Sequence, residues 1–380
     1  MASTLLSTNT NFQHFGHKVY STVSQNNNNQ NVFLSPASIA LAMAMCTVGA
    51  RKETLDQMLR VLDASSTENL TKTAEKVMHI FSVAKHDTQV ELKLANRLYA
   101  QKAYKLQQEY LSLVQSSFKA DIKLKDFQND KDKVVHKINA WVEKKTNNLI
   151  QNLLSTNDIS RDTRLIIVNC IYFKGTWVEQ FQEHLTDQNA DFHGANDLHV
   201  QIAHLPYKSD SHDVQFVFTV ILPKQGVSLD EVERKLTSKP NLMQQVLSDE
   251  NTTRQELLLY LPKFKMEATF VLNDVLIHLG MKNAFSERKA DFTGIVSEQD
   301  DRNGLYISKV IHKAFIDVNE LGSEAAAATA TFMLCGSAAM LEKEQPIEFK
   351  VDRPFLFFIR ESQQNIVLFS GKYISPPTAS

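Results

Sequence analysis

The sequence predicts an α+β fold, and three observations along the chain support this prediction. Apolar residues recur at helical spacing over three stretches of the first half: 35–62, with a break near Gly49, 74–81 and 134–154. Strand-like apolar runs dominate the second half: 216–222, 256–261, 356–359 and 366–369. The run 165–173 is continuously apolar, which suits a strand buried on both faces. Because helices and strands do not alternate regularly, the pattern favours α+β over repeated βαβ units.

Length and composition favour one large domain. The chain has 380 residues, which exceeds the usual size of a single hydrophobic core, yet no repeat or long linker divides it. Its hydrophobic fraction of 43% is ample for a substantial core. We therefore expect a single domain over 1–380. The formal net charge of −2 argues against a generic polyanion binder, but it leaves room for a local basic patch.

Targeting signals leave the compartment open. The first sixteen residues, MASTLLSTNTNFQHFG, lack the basic start and apolar run of a signal peptide. No stretch approaches eighteen apolar residues, so no membrane span is expected. Cys46, Cys170 and Cys335 are odd in number and form no disulfide framework. The protein is expected to be cytoplasmic, non-classically secreted, or secreted with its signal removed.

Catalytic and metal-binding motifs give no support to an enzyme. The sequence has no GxSxG elbow, HExxH helix, CxxC pair, Walker loop or GxGxxG motif. Five histidines lie in one irregular region at spacings that share no helical face: His184, His193, His199, His204 and His212. We therefore expect no metal site and no cofactor. Cys335 has no sequence cue for a base partner, which argues against a catalytic thiol.

The most unusual local composition is the segment from Glu320 to Thr331, ELGSEAAAATAT. Alanine has the best helix propensity, so one interpretation is a helix. Small residues also suit a strand that enters an existing sheet, because they add little volume between packed neighbours. In that strand, alternate positions share one face: Ser323, Ala325, Ala327, Thr329 and Thr331. From the local sequence alone, a helix and an insertable loop are equally well supported.

Several motifs, in a fixed order along the chain, resemble the serpin family of serine protease inhibitors. They are NVFLSPASIALAMAMCTVGARKETLDQML (31–59), INAWVEKKTNNLI (138–150), VNCIYFKGTW (168–177), LPKFKMEATF (261–270), FTGI (292–295), VIHKAFIDVNELGSEAAAAT (310–329) and FKVDRPFLFFI (349–359), with FSGKYISPP closing the chain. The resemblance runs from about residue 12 to residue 377. It implies about three β-sheets, roughly nine helices and an exposed reactive-centre loop over about 320–345.

The resemblance also implies a mechanism of inhibition. A target protease, of the serine class or a papain-like cysteine protease, cleaves the loop and forms an acyl-enzyme. The freed loop then inserts into the main sheet as a new strand, which releases strain stored in the uncleaved fold. About fifteen inserting residues at roughly 3.3 Å each span about 50 Å. We expect a monomer with no nucleic-acid or membrane partner. The alternative is a non-inhibitory serpin that acts as a chaperone or ligand carrier.

Family positions carry over to particular residues of this chain. The hinge of the loop is expected at Glu320, Gly322, Ser323, Ala325, Ala326, Ala327, Ala328 and Thr329. A charge at Ser323 would block insertion through desolvation. A polar cluster is expected beneath the strands that must part, at Ser35, Ser38, Asn169 and His312. Trp177 is the aromatic residue expected where insertion starts, and Lys263 is expected to pair with Glu320. Ordinary core packing or hydrogen bonding accounts equally well for most of these.

Two segments depart from the family pattern. Counting sixteen residues beyond Glu320 places the scissile bond between Gly336 and Ser337, although a shifted register would put Met333, Leu334, Cys335 or Met340 before the cleaved bond. No Lys or Arg lies between Glu320 and Leu341, which disfavours proteases that require a basic residue. The segment 192–222 is shorter than in the family. Strands of the smaller sheets are therefore expected to be missing or rebuilt there.

Overall fold

A computed structural model describes residues 12–178, 187–195, 198–248, 252–297, 304–320 and 347–376. The helices in these ranges are α1 (Gln13–Asn26), α2 (Pro36–Thr47), α3 (Lys52–Val61), α4 (Thr67–Ala84), α5 (Gln108–Phe118), α6 (Lys131–Lys145), α7 (Leu229–Ser238), α8 (Pro240–Val246) and α9 (Asn273–Leu279). The strands are β1 (Val32–Leu34), β2 (Val90–Gln101), β3 (Asp121–Lys125), β4 (Leu165–Gly175), β5 (Asp187–Ala195), β6 (Val200–Pro206), β7 (Phe216–Pro223), β8 (Thr253–Tyr260), β9 (Phe264–Val271), β10 (Ile307–Val318), β11 (Ile347–Lys350), β12 (Phe355–Glu361) and β13 (Ile366–Tyr373). Helices crowd the first half and strands the second, which confirms the α+β prediction.

The first sheet has five strands in the order β3-β2-β4-β10-β9. Its centre is the parallel pair β4 and β10, while β2 and β9 run antiparallel to their inner neighbours. As predicted, β4 is buried on both faces along most of its length. One face packs into the main core, and the other packs under α6 in a second apolar cluster. A strand buried on both faces needs the continuous apolar run seen in the sequence.

The second sheet has eight strands in the order β1-β13-β12-β7-β6-β5-β8-β11. It contains two sections, β1-β13-β12-β7-β6 and β8-β11, which β5 joins by pairing antiparallel with both β6 and β8. The two sections and the five-stranded sheet together correspond to the three sheets that the sequence predicts. Within and beside the segment expected to be shortened, the single strand β5 leads into β6 and links the two sections.

Helix α2 occupies the centre of the core. All twelve of its residues are buried, so it is apolar all round rather than amphipathic. Ser35 caps its first turn by accepting a hydrogen bond from the Ser38 N–H, and Pro36 stands at the first helical position, where no N–H is needed. The helix packs against β13 and β4 and so lies between the two sheets. Among the described residues, no helix is both long and apolar enough to cross a bilayer.

The prediction of a helix over 134–154 was wrong beyond residue 145. Helix α6 ends at Lys145, and the two residues after Thr146 have left-handed backbones, with φ of 51° at Asn147 and 63° at Asn148. Asparagine tolerates this region better than most residues, so it ends a helix readily. The Thr146 hydroxyl donates to the Val142 carbonyl and accepts from the Ile150 N–H, which fixes the turn that follows.

Candidate functional site

The candidate site is the junction between the parallel strands β4 and β10. The two strands pair directly over most of their length, from Leu165 opposite Ile307 to Phe173 opposite Ile316. Strand β10 leads into Glu320, the last described residue before the segment 321–346. A chain that reversed direction after Glu320 would run antiparallel to both strands. If the junction opened, each strand would present one free row of N–H and C=O groups to such a chain.

At the end of β10, two contacts mark the place where the segment 321–346 begins. Lys263 Nζ lies 2.5 Å from Glu320 Oε1, the pairing that the sequence predicts. The Trp177 indole N–H donates to the Asn319 carbonyl at 2.9 Å. Trp177 is buried and stacks on Tyr207 with ring centroids 4.3 Å apart. The aromatic pair therefore holds the end of β10 against the chain that leaves β4.

The charges at this end are exposed. The hydrogen bond from Lys263 holds the pKa of the Glu320 carboxyl below its usual value. The two side chains are 63% and 39% exposed, and such a pair contributes little to stability because water and salt screen it. Lys265 on β9 and Asp317 on β10 form a second pair at 2.7 Å, in which the lysine is exposed and the carboxylate is only 12% exposed. These pairs orient the strand ends more than they stabilise the fold.

The centre of the junction contains a buried polar cluster. His312 on β10 lies opposite Asn169 on β4, and both side chains are fully buried. His312 Nε2 accepts from the Ser35 N–H at 3.0 Å, so its Nδ1 carries the proton and donates to Asn169 Oδ1. The same Oδ1 accepts from the Ser38 hydroxyl at 3.0 Å. The structure thus brings together the four cluster residues that the sequence analysis named.

Two further partners of this cluster escaped the sequence analysis. The Asn169 amide donates to the Ser38 carbonyl at 3.1 Å and to Asn96 Oδ1, and the Ser35 hydroxyl donates to the Leu368 carbonyl at 2.5 Å. Asn96 lies on β2, directly opposite Asn169. Asn96 is a polar residue on the face of β2 that otherwise carries apolar side chains, and this was the only signal in the sequence that could have identified it. The cluster therefore spans three adjacent strands and the first turn of α2.

Burial determines the charge state of the cluster. Desolvation lowers the pKa of the His312 imidazole to about 3, so the ring is neutral at neutral pH. A neutral ring can both accept from Ser35 and donate to Asn169, whereas a charged ring could only donate. Protonation would therefore remove the acceptor that satisfies the Ser35 N–H and place an unpaired charge in the core.

Helix α6 covers the outer face of the junction. Ile138 and Val142 of the helix pack in the same apolar cluster as Val168 and Cys170 of β4 and Ile311 of β10. A new strand between β4 and β10 would have to pass beneath this helix. Because interiors are close-packed, only small side chains could enter without displacing the cover.

Other predicted positions lie outside the described residues. These are the hinge and scissile-bond candidates Gly322, Ser323, Ala325, Ala326, Ala327, Ala328, Thr329, Met333, Leu334, Cys335, Gly336, Ser337 and Met340. Within the described ranges, no group of three or more His, Cys, Asp or Glu side chains is arranged to hold a metal ion. Cys46 and Cys170 are buried free thiols there, and burial raises the pKa of each.

Comparison with known proteins agrees with this geometry. A family model described as Serpin (serine protease inhibitor) matches residues 10–376. Serpin B9 of Homo sapiens is 34% identical over 389 residues, covering 95% of this chain and 97% of that protein. Leukocyte elastase inhibitor of Homo sapiens is 33% identical over 383 residues, with the same coverages. The solved structure of Arabidopsis AtSerpin1 in its native stressed conformation is 29% identical, with a TM-score of 0.79 and 97% of each chain covered. The chain belongs to the serpin family.

Proposed function

We propose that this serpin inhibits serine proteases as a suicide substrate, by inserting its cleaved loop between β4 and β10. The observation that carries the proposal is the arrangement of that junction. Two parallel strands pair directly, and one of them continues into the segment 321–346, whose first part, 322–331, is rich in small residues. Adding an antiparallel strand between them would replace one row of ladder hydrogen bonds with two rows. That gain in hydrogen bonds drives the insertion.

The chemistry belongs to the protease. Its serine hydroxyl attacks the carbonyl carbon of the residue before the scissile bond, and the C–N bond breaks. The acyl group stays on the serine, while the new amine becomes the N-terminus of the C-terminal fragment. Water must then attack the ester to release the protease. Insertion of the loop drags the attached protease along the sheet and distorts its site before that step occurs.

The hinge composition supports insertion. Glycine at 322 allows a reversal of the chain, and Ser323 would be the first side chain to enter the sheet. Glu324 follows it and would lie on the opposite face of the inserted strand, and the four alanines at 325–328 and Thr329 come next. Side chains of this size pass beneath α6 with little overpacking. Bulky or charged side chains at positions 323 and 325–328, as expected of the chaperone alternative, would not.

The residue before the scissile bond determines which proteases can cleave the loop. We place the scissile bond between Gly336 and Ser337, with Met333, Leu334, Cys335 and Met340 as the other candidates for the residue before it. A small residue suits an elastase-like protease, and the relative named leukocyte elastase inhibitor agrees with that class. Met or Leu would suit chymotrypsin-like or cathepsin-like proteases. The same trap would hold a papain-like cysteine protease as a thioester.

A carrier function is less well supported. The apolar cavity between α1, α8 and strands β12 and β13 has a volume of about 80 Å³. Sites for drug-sized ligands typically enclose roughly 300–1,000 Å³. Two larger concavities, of about 360 and 560 Å³, are lined mainly by polar side chains, so a carrier of an apolar ligand would need the apolar cavity to expand severalfold.

The test is the formation of a covalent complex. The protein is incubated with an elastase-like, a chymotrypsin-like or a papain-like protease and analysed on denaturing gels. We expect a complex that survives SDS, together with a released C-terminal fragment whose mass identifies the cleaved bond. A protease whose nucleophile is replaced by Ala is the control and should form no such complex. Complete cleavage without any complex, with all three active proteases, would contradict the proposal.

A further inference from the structure

Two ion pairs tie β10 to β9, its neighbour on the side opposite β4. Asp317 on β10 lies directly opposite Lys265 on β9, and its Oδ2 is 2.7 Å from Lys265 Nζ. Lys313 on β10 pairs with Glu267, which lies two positions along β9 from the residue opposite Lys313. In both pairs the β10 side chain is the more buried one: Lys313 is 8% exposed and Asp317 is 12% exposed. The two buried charges of β10 thus have their counter-charges on β9, where the side chains are exposed.

The edge of β10 that faces β4 is held differently. Strand β4 places the uncharged residues Cys170 and Tyr172 opposite Lys313 and Phe315. The ring centroids of Tyr172 and Phe315 are 5.7 Å apart, and this contact can break without separating a charge from its partner. Strands β4 and β10 are also parallel, and parallel pairing is slightly less stable per residue than the antiparallel pairing of β9 with β10. The boundary with β4 is therefore the weaker of the two edges of β10.

The two boundaries differ in what happens to the ion pairs when they open. Separating β9 from β10 would remove the counter-charges of Lys313 and Asp317, and a buried charge left without its partner is strongly unfavourable. Separating β4 from β10 would leave both pairs intact, because all four side chains lie on β9 and β10. Opposite-charge pairs across strands stabilise a sheet only modestly. They can therefore decide which boundary opens without contributing much to the stability of the whole fold.

We propose that these four side chains are positioning residues, which join β9 and β10 into one moving unit so that the sheet opens only between β4 and β10. The inference rests on the proposed function, because the choice of boundary matters only if the loop inserts. Without the pairs, separation of β9 from β10 would compete with the productive opening. The acyl-enzyme would then wait longer for the loop to insert, and a larger share of the inhibitor would be hydrolysed as a substrate.

Hydrogen exchange tests the proposal without a protease, so its result does not depend on whether the protein inhibits one. The variant Lys313→Gln/Asp317→Asn removes the two buried charges of β10 and keeps polar side chains of similar size. We expect the amides of 264–271, on β9, to exchange about fivefold faster than in the parent protein. The amides of 165–175, on β4, should stay within about twofold of the parent. Equal acceleration of the two strands, or none on β9, would overturn the proposal.

The matched control removes an ion pair of similar exposure from another part of the same sheet. Lys102 and Asp126 pair at 2.6 Å with side chains 57% and 12% exposed, close to the 71% and 12% of Lys265 and Asp317. Asp126→Asn should leave the exchange of 264–271 unchanged. If it accelerates β9 as much as the β10 variant does, the effect is a general one of lost charge, and the proposal is wrong.

A reversible bond in place of one ion pair tests the role in inhibition. Directly opposite residues of antiparallel strands have Cα atoms about 4.5–5.5 Å apart, within the range that a disulfide spans. Lys265→Cys/Asp317→Cys, made with Cys335→Ser to prevent mispairing, can therefore link β9 to β10 covalently. We expect the oxidised form to consume as many inhibitor molecules for each protease as Cys335→Ser alone, and the reduced form to consume about twice as many.

The two possible failures are distinguishable. Loss of complex in the oxidised form alone would overturn this inference, because β9 and β10 would then have to separate during inhibition. Equal consumption by the oxidised and reduced forms would also overturn it, since the link between the strands would have no effect. Absence of complex from the parent would instead contradict the proposed function, and the exchange of β9 would still decide whether the ion pairs hold the two strands together.

Discussion

Asn169 and His312 hydrogen-bond to each other across the junction between β4 and β10, in register and fully buried. Their contact joins the two strands that must separate if the cleaved loop is to insert. Both residues also bond to the first turn of α2, through Ser38 and Ser35. The junction is therefore closed by a specific polar network as well as by the backbone ladder.

Removing the amide at the centre of this network should destabilise the closed sheet. Asn169→Ala leaves the buried His312 Nδ1–H without its acceptor, and an unsatisfied buried group costs about 1–3 kcal/mol, whereas the Ser38 hydroxyl keeps the Ser35 carbonyl as an acceptor. We expect a clearly lower midpoint of thermal unfolding. Asn129→Ala removes an exposed asparagine that bonds only to Asp126 and serves as the control. Equal midpoints for the two variants would show that the network contributes nothing.

The same cluster should make stability depend on pH. The pKa of His312 is about 3 in the folded protein and roughly 6.5 when unfolded, so the unfolded state binds the proton more readily. The contribution of neutral His312 to the free energy of unfolding is fully present above about pH 6.5 and is lost as the pH falls towards 3. Between pH 7 and pH 5 the loss is about 2 kcal/mol.

Urea unfolding at these two pH values checks this prediction. The parent should lose more stability on acidification than His312→Gln, which keeps polar groups but cannot titrate. If the substituted protein shows the same pH dependence as the parent, another group is responsible and His312 is already protonated or more exposed than its contacts indicate.

The hinge makes a separate prediction. Ser323→Arg should turn the inhibitor into a substrate, because a guanidinium cannot enter the sheet without losing its hydration. Ser323→Ala, which is small and apolar, should keep inhibition. The number of inhibitor molecules consumed for each protease inactivated measures this partition directly. A normal ratio in the arginine variant would mean that position 323 stays outside the sheet.

Much of the fold could be predicted because local pattern and tertiary environment agree. The apolar run at 165–173 became the doubly buried β4, and Ser35 followed by Pro36 began α2. The helix boundary after Lys145 was missed because Ile150 and Leu154 continue the apolar spacing. Left-handed backbones at Asn147 and Asn148 end the helix there, and apolar periodicity does not encode backbone handedness.

The residues of the candidate site were likewise predicted only in part. Ser35, Ser38, Asn169 and His312 were assigned together through the family resemblance, and the structure places them in contact. Asn96 was missed, since one asparagine in a strand gives no sign of its cross-strand neighbour. The joining of two sheet sections by β5 was also beyond reach, because pairing partners depend on which edges a shortened segment leaves free.

The central claim is that inhibition requires β4 and β10 to separate, and a reversible staple across them tests it most directly. Cys170 on β4 is a buried free thiol, and its partner in register on β10 is Lys313. Neighbouring strands lie about 4.8 Å apart, within the range of Cα distances that a disulfide spans. The variant Lys313→Cys, made with Cys335→Ser to prevent mispairing, can therefore close the junction covalently. Lys313→Ser in the same background controls for the lost lysine.

The measurement is the yield of SDS-stable complex from oxidised and reduced protein with the same protease. We predict that the oxidised variant is cleaved without forming complex, and that reduction restores complex to the level of the Lys313→Ser control. Mass spectrometry confirms that the staple is closed in the oxidised sample. Full complex formation by the stapled protein would contradict the account, because the loop would then trap the protease without opening this junction.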